Sequence, residues 1–313
     1  MSKVTKIVLI TAGSLMALGI VLSIIGFAVF RRSVAASTNN GDAYEYKEEY
    51  IDEKFTNLDL MEVSHNIVFR PSEDGKVKIA YYDKSNYNHD IKVTNGTLQI
   101  SVRTYEEGAP WWSRFTFHID LDGFGTSNED PTTTIYLPED SYGSLRINTT
   151  SGDVQIPEKY AFDGVKFNTV SGDVEALCSM TGSIEADATS GEVTFKNLNA
   201  TDLDIDTISG NIVVSDSTVS GITSISATSG EISLTKLKTT DLKTNTVSGD
   251  VRLEDLDTKT ANINTTSGDV SGNILGDHEY DVDTTSGEVE LPSNIKGMDL
   301  IEIDTTSGDV NLR

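Results

Sequence analysis

One cysteine, Cys178, in 313 residues excludes a disulfide frame and a thiolate metal site. It falls just after a repeat strand and reads as a small buried or corner residue. No cysteine lies near the N-terminus, which excludes a lipoprotein anchor. Basic residues are scarce as well: 24 Lys and Arg stand against 49 Asp and Glu, for a net charge of −25. Lys3, Lys6, Arg31 and Arg32 fall in the first 32 residues, so the remainder is more acidic still. Such a body is unsuited to nucleic acid or to an anionic membrane surface. The four histidines, His65, His89, His118 and His278, are scattered and show no metal-ligand spacing. Long apolar runs are missing too, with one exception.

That exception is Ile7 to Phe30, 24 residues without a charge between Lys6 and Arg31. It is long enough to span a bilayer. A cleaved signal peptide has an apolar region of about 7–15 residues, so an uncleaved membrane anchor is the expected reading, with Val34-Ala35-Ala36 as a weak rival cleavage site. Basic residues flank both sides, and the positive-inside rule does not orient the segment. Residues 1–6 are then a short cytoplasmic start, 7–30 the transmembrane helix, and 31–43 a linker that is small and polar from Ser33 to Gly41.

From residue 144 onward a Ser-Gly pair returns every 19 to 21 residues, at Ser151, Ser171, Ser190, Ser209, Ser229, Ser248, Ser267, Ser286 and Ser307. Each pair is followed by Asp, Glu or Asn and then by Val or Ile. So short and regular a period marks a solenoid. Apolar residues recur six and four positions before the Ser (Leu145 and Ile147, Leu203 and Ile205). They recur again three and five positions after it (Val154 and Ile156, Ile232 and Leu234). Two positions before it every copy has Thr or Ala. This period of two on both sides predicts strands with one buried face, and the abundance of β-branched residues argues against helix. The Ser-Gly is expected to be the corner, with Gly supplying a positive φ. Leu198, Leu237, Leu256 and Leu275, eight positions after the Ser, are expected to plug a second corner. Identical turns at constant spacing place like over like, which predicts about nine coils of a single-stranded parallel β-solenoid over 144–313, roughly 40 Å long at about 4.8 Å per coil.

Residues 44–143 have another pattern. Ile67–Arg70, Val77–Tyr82, Asp90–Thr94 and Leu98–Arg103 alternate as strands do, and Ser72-Glu73-Asp74-Gly75 and Asn95-Gly96 are hairpin signals. This zone is expected to be an antiparallel β-rich cap over the first coil, because an open solenoid edge invites aggregation. No comparable cap follows the last copy. That leaves the final coil open, self-capped or paired with another molecule, the last being a route to oligomers.

The copies Thr149-Thr150-Ser151-Gly152-Asp153-Val154, Thr246-Val247-Ser248-Gly249-Asp250-Val251 and Thr305-Thr306-Ser307-Gly308-Asp309-Val310 resemble the bacterial toastrack or putative-adhesin family, as do the lead-in stretches Asp74-Gly75-Lys76-Val77 and Asn95-Gly96-Thr97-Leu98. The resemblance covers roughly residues 50–313. It implies an all-β, right-handed, single-stranded β-helix without known catalysis, associated with envelope-stress systems. It also implies that the rod lies outside the membrane. The family has no agreed site residues to carry over.

An enzyme is not expected. Polysaccharide-acting β-helices need carboxylates or a metal beside a base, usually on long loops between coils, and the repeat coils are nearly equal in length. The alternatives kept beside a binding or scaffold module of the envelope are a glycan-active enzyme and a passive spacer. No cofactor is expected beyond weak Ca²⁺. Its candidate site is the acidic column Asp153, Asp173, Glu192, Glu231, Asp250, Asp269, Glu288 and Asp309, interrupted by Asn211. Stacked charges about 5 Å apart repel by about 0.8 kcal/mol in water, and a divalent ion with oxygen ligands relieves that. Solvated corner residues screened by salt fit the same pattern. The second candidate is Trp111-Trp112 with Tyr105. Neighbouring strand residues face opposite ways, so one Trp is available to stack on a sugar, a wall polymer or an envelope protein; packing of the cap fits equally.

Overall fold

The computed structural model describes residues 44–85, 87–104, 131–293 and 295–313. The expected membrane segment 7–30, most of the linker, and Tyr105, Trp111 and Trp112 lie outside these residues. Among the described residues no helix is long and apolar enough to cross a membrane, and every regular element is a β-strand.

Each repeat copy contributes one strand before its Ser-Gly and one after it, and the copies stack in parallel with matching positions aligned. Leu145 lies against Val165, then Ile184, Leu203, Thr223, Leu242 and Ala261 in the first sheet. Val154, Val174, Val193, Ile212, Ile232, Val251 and Val270 run in the same order in the second. The alternation expected from the sequence is present: Ile205, Ile225, Ile263, Ile212, Ile232 and Val251 are fully buried, while the residues between them face out. Burying such a side chain contributes about 1.5–3 kcal/mol, and the single continuous core repeats that contribution at every coil.

The corner works differently from the expectation. Of the nine corner glycines only Gly191 and Gly230 have a positive φ, at 133° and 155°. What requires glycine is close approach. A Cβ on Gly210 would sit 1.9 Å from the carbonyl oxygen of Gly191, and one on Gly249 would sit 1.9 Å from that of Gly230. The left-handed residues are at the second turn, where Asn197, Asp216, Lys236 and Asp255 have φ of 49–61°. Behind that turn Leu198, Leu237 and Leu256 are buried as expected, but Leu275 is 47% exposed. The register shifts there, so that Ile274 lies against Leu256 and fills its column.

Coil order departs from chain order at both ends. The strand Leu300–Ser307 of the ninth copy pairs directly with Thr260–Thr265 of the seventh, and Glu279–Ser286 of the eighth lies outside both. The second sheet repeats this order, with Val310–Leu312 between Val270–Ile274 and Val289–Glu290. The solenoid therefore has about eight packed turns closed by the Ser307 copy, and the Ser286 copy is the open end. Val310 and Leu312 are buried, whereas Val289 is 41% exposed.

The N-terminal zone is only partly antiparallel. Its strands are β1 (Glu45–Ile51), β2 (Asn57–Met61), β3 (Asn66–Pro71), β4 (Val77–Asp83), β5 (Tyr87–Thr94), β6 (Thr97–Thr104) and β7 (Thr132–Leu137). β2 and β3 pair in parallel with the strands of the first copy, forming one more coil beneath it. β6 and β7 pair in parallel with β2 and β3, forming a further coil. Only β1, β4 and β5 are antiparallel, and they cover the end. Asn95-Gly96 makes the expected hairpin between β5 and β6, with both φ positive. Ser72–Gly75 does not join neighbours, because β7 lies between β3 and β4.

Two outcomes are expected. Val251→Asp places an unpaired charge at a fully buried position and should cost about 3 kcal/mol or more. The neighbouring Arg252→Asp, at a side chain 58% exposed, should cost about 1 kcal/mol or less; denaturant unfolding compares them. In a second test, Asn262→Cys with Glu302→Cys should be joined by a short thiol cross-linker, and Asn262→Cys with Asp281→Cys should not. The reverse would restore chain order to the coils.

Candidate functional site

The coil built from β2 and β3 carries a degenerate copy of the repeat. Its pairing puts Leu58 and Leu60 on Leu145 and Ile147, and Ile67 on Val154. Glu62-Val63-Ser64-His65-Asn66-Ile67 thus occupies the place of Thr149-Thr150-Ser151-Gly152-Asp153-Val154. Glu62 stands in the inward Thr column and His65 in the glycine column. The coil outside it follows β6 to Thr104 and resumes with β7 at Thr132, 27 residues separating the two strands. Among the described residues no corner is stacked beyond His65, and a side chain stands in place of the glycine there.

Around this corner a buried polar cluster assembles from four elements. His89 on β5 holds Nε2 at 2.8 Å from Glu62 Oε1 and Nδ1 at 2.7 Å from Asp83 Oδ1, at the end of β4. Glu62 also accepts hydrogen bonds from Thr133 Oγ1 on β7 (2.6 Å) and from the Tyr87 hydroxyl (2.7 Å). Asp83 accepts from the backbone N–H of His89 and from Lys47 Nζ, each at 3.0 Å. The side chains of His89 and Glu62 are 0% and 1% exposed. His65 is fully buried, its ring 4.4 Å from that of Tyr87 and 5.5 Å from that of His89. Neither of its nitrogens has a hydrogen-bond partner among the described residues.

These contacts set the charges. Burial disfavours the His89 imidazolium, but hydrogen bonds to Glu62 and Asp83, with their charges, outweigh it and raise its pKa. Burial likewise works against the Glu62 and Asp83 carboxylates, and the bonds from His89 outweigh it and hold both below the usual range. With ionised carboxylates on both sides, His89 donates from both nitrogens. Burial pushes His65 down to about 4, which leaves it neutral with one free lone pair. The tyrosine hydroxyl of Tyr87 is raised by burial and then by Glu62.

The acidic column is in register along the corner, and most of it is hydrogen-bonded to backbone. Asp153 Oδ1 accepts the N–H of Asp173 (3.0 Å), Asp173 Oδ1 that of Glu192 (2.7 Å), Asn211 Oδ1 that of Glu231 (3.0 Å), and Asp250 Oδ1 that of Asp269 (3.0 Å). Across the reordered end, Asp269 Oδ1 accepts the N–H of Asp309, and Asp309 Oδ1 that of Glu288, both at 2.8 Å. Asn66 begins the ladder under Asp153. Asp and Asn have the reach for this bond, and each turns a corner amide that no strand partner would satisfy into a rung. The inward threonines add a second cap: Thr149 and Thr169 accept the N–H of Gly152 and Gly172 at 3.1 and 3.0 Å.

The model of the family described as Toastrack DUF4097 matches residues 55–224 and 209–313. The chain belongs to the toastrack family. Two solved structures are similar to this toastrack protein. One is a "putative adhesin" from Bacteroides fragilis, 13% identical with a TM-score of 0.44, covering 88% of this chain and 100% of that one. The other is a "putative lipid binding protein" from Parabacteroides distasonis, 18% identical with a TM-score of 0.40, covering 88% and 98%. No curated protein matches.

Sequence reasoning left the histidines of this toastrack chain apart; the fold unites His65 and His89 with Glu62. One signal pointed there, the Leu58–Phe69 spacing that repeats the later copies with His in place of Gly. Tyr105, Trp111 and Trp112 follow Thr104 in the sequence and lie outside the described residues.

Glu62→Gln should destabilise the cap by about 3 kcal/mol, since it strips a buried imidazolium of one carboxylate. Tyr87→Phe removes one hydrogen bond to that carboxylate and should cost about 2 kcal/mol. On the ladder, Asp250→Asn keeps the rung and should be near neutral, while Asp250→Ala should cost about 1 kcal/mol; thermal melts of the four variants rank them.

Proposed function

We propose that this chain is a membrane-anchored, extracytoplasmic solenoid that serves the cell envelope as a non-catalytic binding or scaffold module, in adhesion or envelope-stress response. Toastrack membership supports a module of this kind, and the uncharged run Ile7–Phe30 supports the anchor. The observation that carries the reading is the contrast between rod and cap. Along the repeat copies the outward positions are mostly Asn, Asp, Ser, Thr and charged residues, with coil-to-coil hydrogen bonds such as Asn168 to Asn148 at 2.9 Å. In the sequence, the stretch between Thr104 and Thr132 is the long interruption of that regularity. It holds the aromatic candidates Tyr105, Trp111 and Trp112 at the end of the chain nearest the proposed anchor. The rod then acts as a rigid acidic support and the interval as the contact element for wall polymers or envelope proteins, with no role for nucleic acid.

Topology tests this first. Protease added to intact cells or spheroplasts should digest the rod, followed with an antibody to the C-terminus; protection until lysis would place the rod in the cytoplasm and end the envelope reading. The double variant Trp111→Ala, Trp112→Ala should keep the wild-type melting temperature and lose binding to isolated envelope. Unchanged binding would remove the contact element.

A further inference from the structure

We propose that Glu62, His65 and His89 form a buried transition-metal site, suited to Zn²⁺, that ties the N-terminal cap to the first coils. Nothing in the binding or scaffold reading requires it. One ligand atom from each of the three lies within 4.8 Å of the others. Two imidazoles and a carboxylate are a borderline N/O set that fits Zn²⁺, and also Co²⁺ or Ni²⁺, better than the hard cations Ca²⁺ and Mg²⁺.

Two independent features point to a ligand here. The first is His65: fully buried, with neither nitrogen partnered among the described residues. An unsatisfied buried imidazole is costly, and coordination satisfies its lone-pair nitrogen. The second is the arrangement behind the other ligands. Asp83 holds His89 through Nδ1 at 2.7 Å, which fixes the ring with Nε2 towards Glu62, the carboxylate–histidine support usual behind a zinc ligand. Thr133 and Tyr87 orient Glu62 in the same way.

The change needed on binding is small. Ligand atoms on a tetrahedral zinc, about 2.0–2.1 Å from the ion, are roughly 3.4 Å apart. Glu62 Oε1 and His89 Nε2, now 2.8 Å apart, would open by about half an ångström, and His65 would close towards them. His89 Nε2 gives up its proton to solvent as the ion binds. The Tyr87 hydroxyl or the second Glu62 oxygen can complete the set. Because the site is sealed, the ion is structural and loads as the cap folds. It joins the β2–β3 corner to the β5–β6 hairpin, whose outer strand is at the edge of its sheet.

The test uses the full-length chain in detergent, free of any histidine tag, stripped with a chelator and refolded with Zn²⁺ or Co²⁺. The expected result is uptake of one equivalent and a higher melting temperature. X-ray absorption of the zinc form should show two imidazoles, and the Co²⁺ form should show tetrahedral visible bands without thiolate charge transfer. His65→Phe should melt no lower than the chelated wild type and bind zinc about 100-fold more weakly or worse, at least the loss that supporting residues typically cause. Failure to take up an equivalent overturns the proposal, as does uptake that survives His65→Phe. A spectrum with oxygen scatterers alone overturns it without any variant, by assigning the ion to exposed carboxylates of the corner column.

Discussion

The constraint on which the structure depends is the contact between stacked backbones at the Ser-Gly corner. Successive coils approach so closely there that the carbonyl oxygen of one glycine occupies the space of a Cβ on the next, as Gly230 does for Gly249. That contact holds the coils in register, because any slip would bring a side chain into the stack. The hydrogen-bonded ladder of Asp and Asn beside it, and the inward threonines beneath, satisfy the amides that the turn removes from the sheets. The apolar columns then follow, since registered coils place Val154 on Val174 and Ile212 on Ile232.

The same constraint explains where chemistry can appear. Inside the stack the glycine column has no room for a functional side chain, and in the inward Thr column Thr149 and Thr169 cap the glycine amides beside them. At the N-terminal end the rule is relaxed in the coil built from β2 and β3. There the glycine becomes His65, the threonine becomes Glu62, and strands that do not belong to the repeat bring His89 and Asp83 to them. At the other end the relaxation takes a different form. The ninth copy returns inside the eighth, which buries the terminal Val310 and Leu312 and ties the exposed coil to the rod through both of its connections. An end held in this way resists fraying more than a free terminal strand would.

Much of this was legible from residue spacing. The buried columns at Leu145, Ile147, Val154 and Ile156 and their later equivalents could be read because one pattern was repeated with the same faces inward. The role of glycine was not legible, since positive φ and close approach demand the same residue and only the stacking of Gly210 on Gly191 separates them. The reordered end was not legible because Tyr280 and Val282 of the eighth copy are interchangeable, column by column, with Ile301 and Ile303 of the ninth. The parallel coils of the cap were masked by His65 and Asn66, which hide the repeat at its most recognisable point. The cluster itself was hidden because residues 62, 65, 83, 89 and 133 come together only when strands from both sheets meet. The aromatic candidates and the membrane segment stand as sequence expectations, outside the described residues.

The most direct test of the central constraint is the unfolding free energy of Gly210→Ala in denaturant. Gly210 has no positive φ, so backbone strain is not at issue, and the added methyl group would meet the Gly191 carbonyl oxygen at 1.9 Å. A loss of about 3 kcal/mol or more is predicted for so small an addition against backbone. A loss under about 1 kcal/mol would mean that the corners are not closely stacked and that the register is held elsewhere.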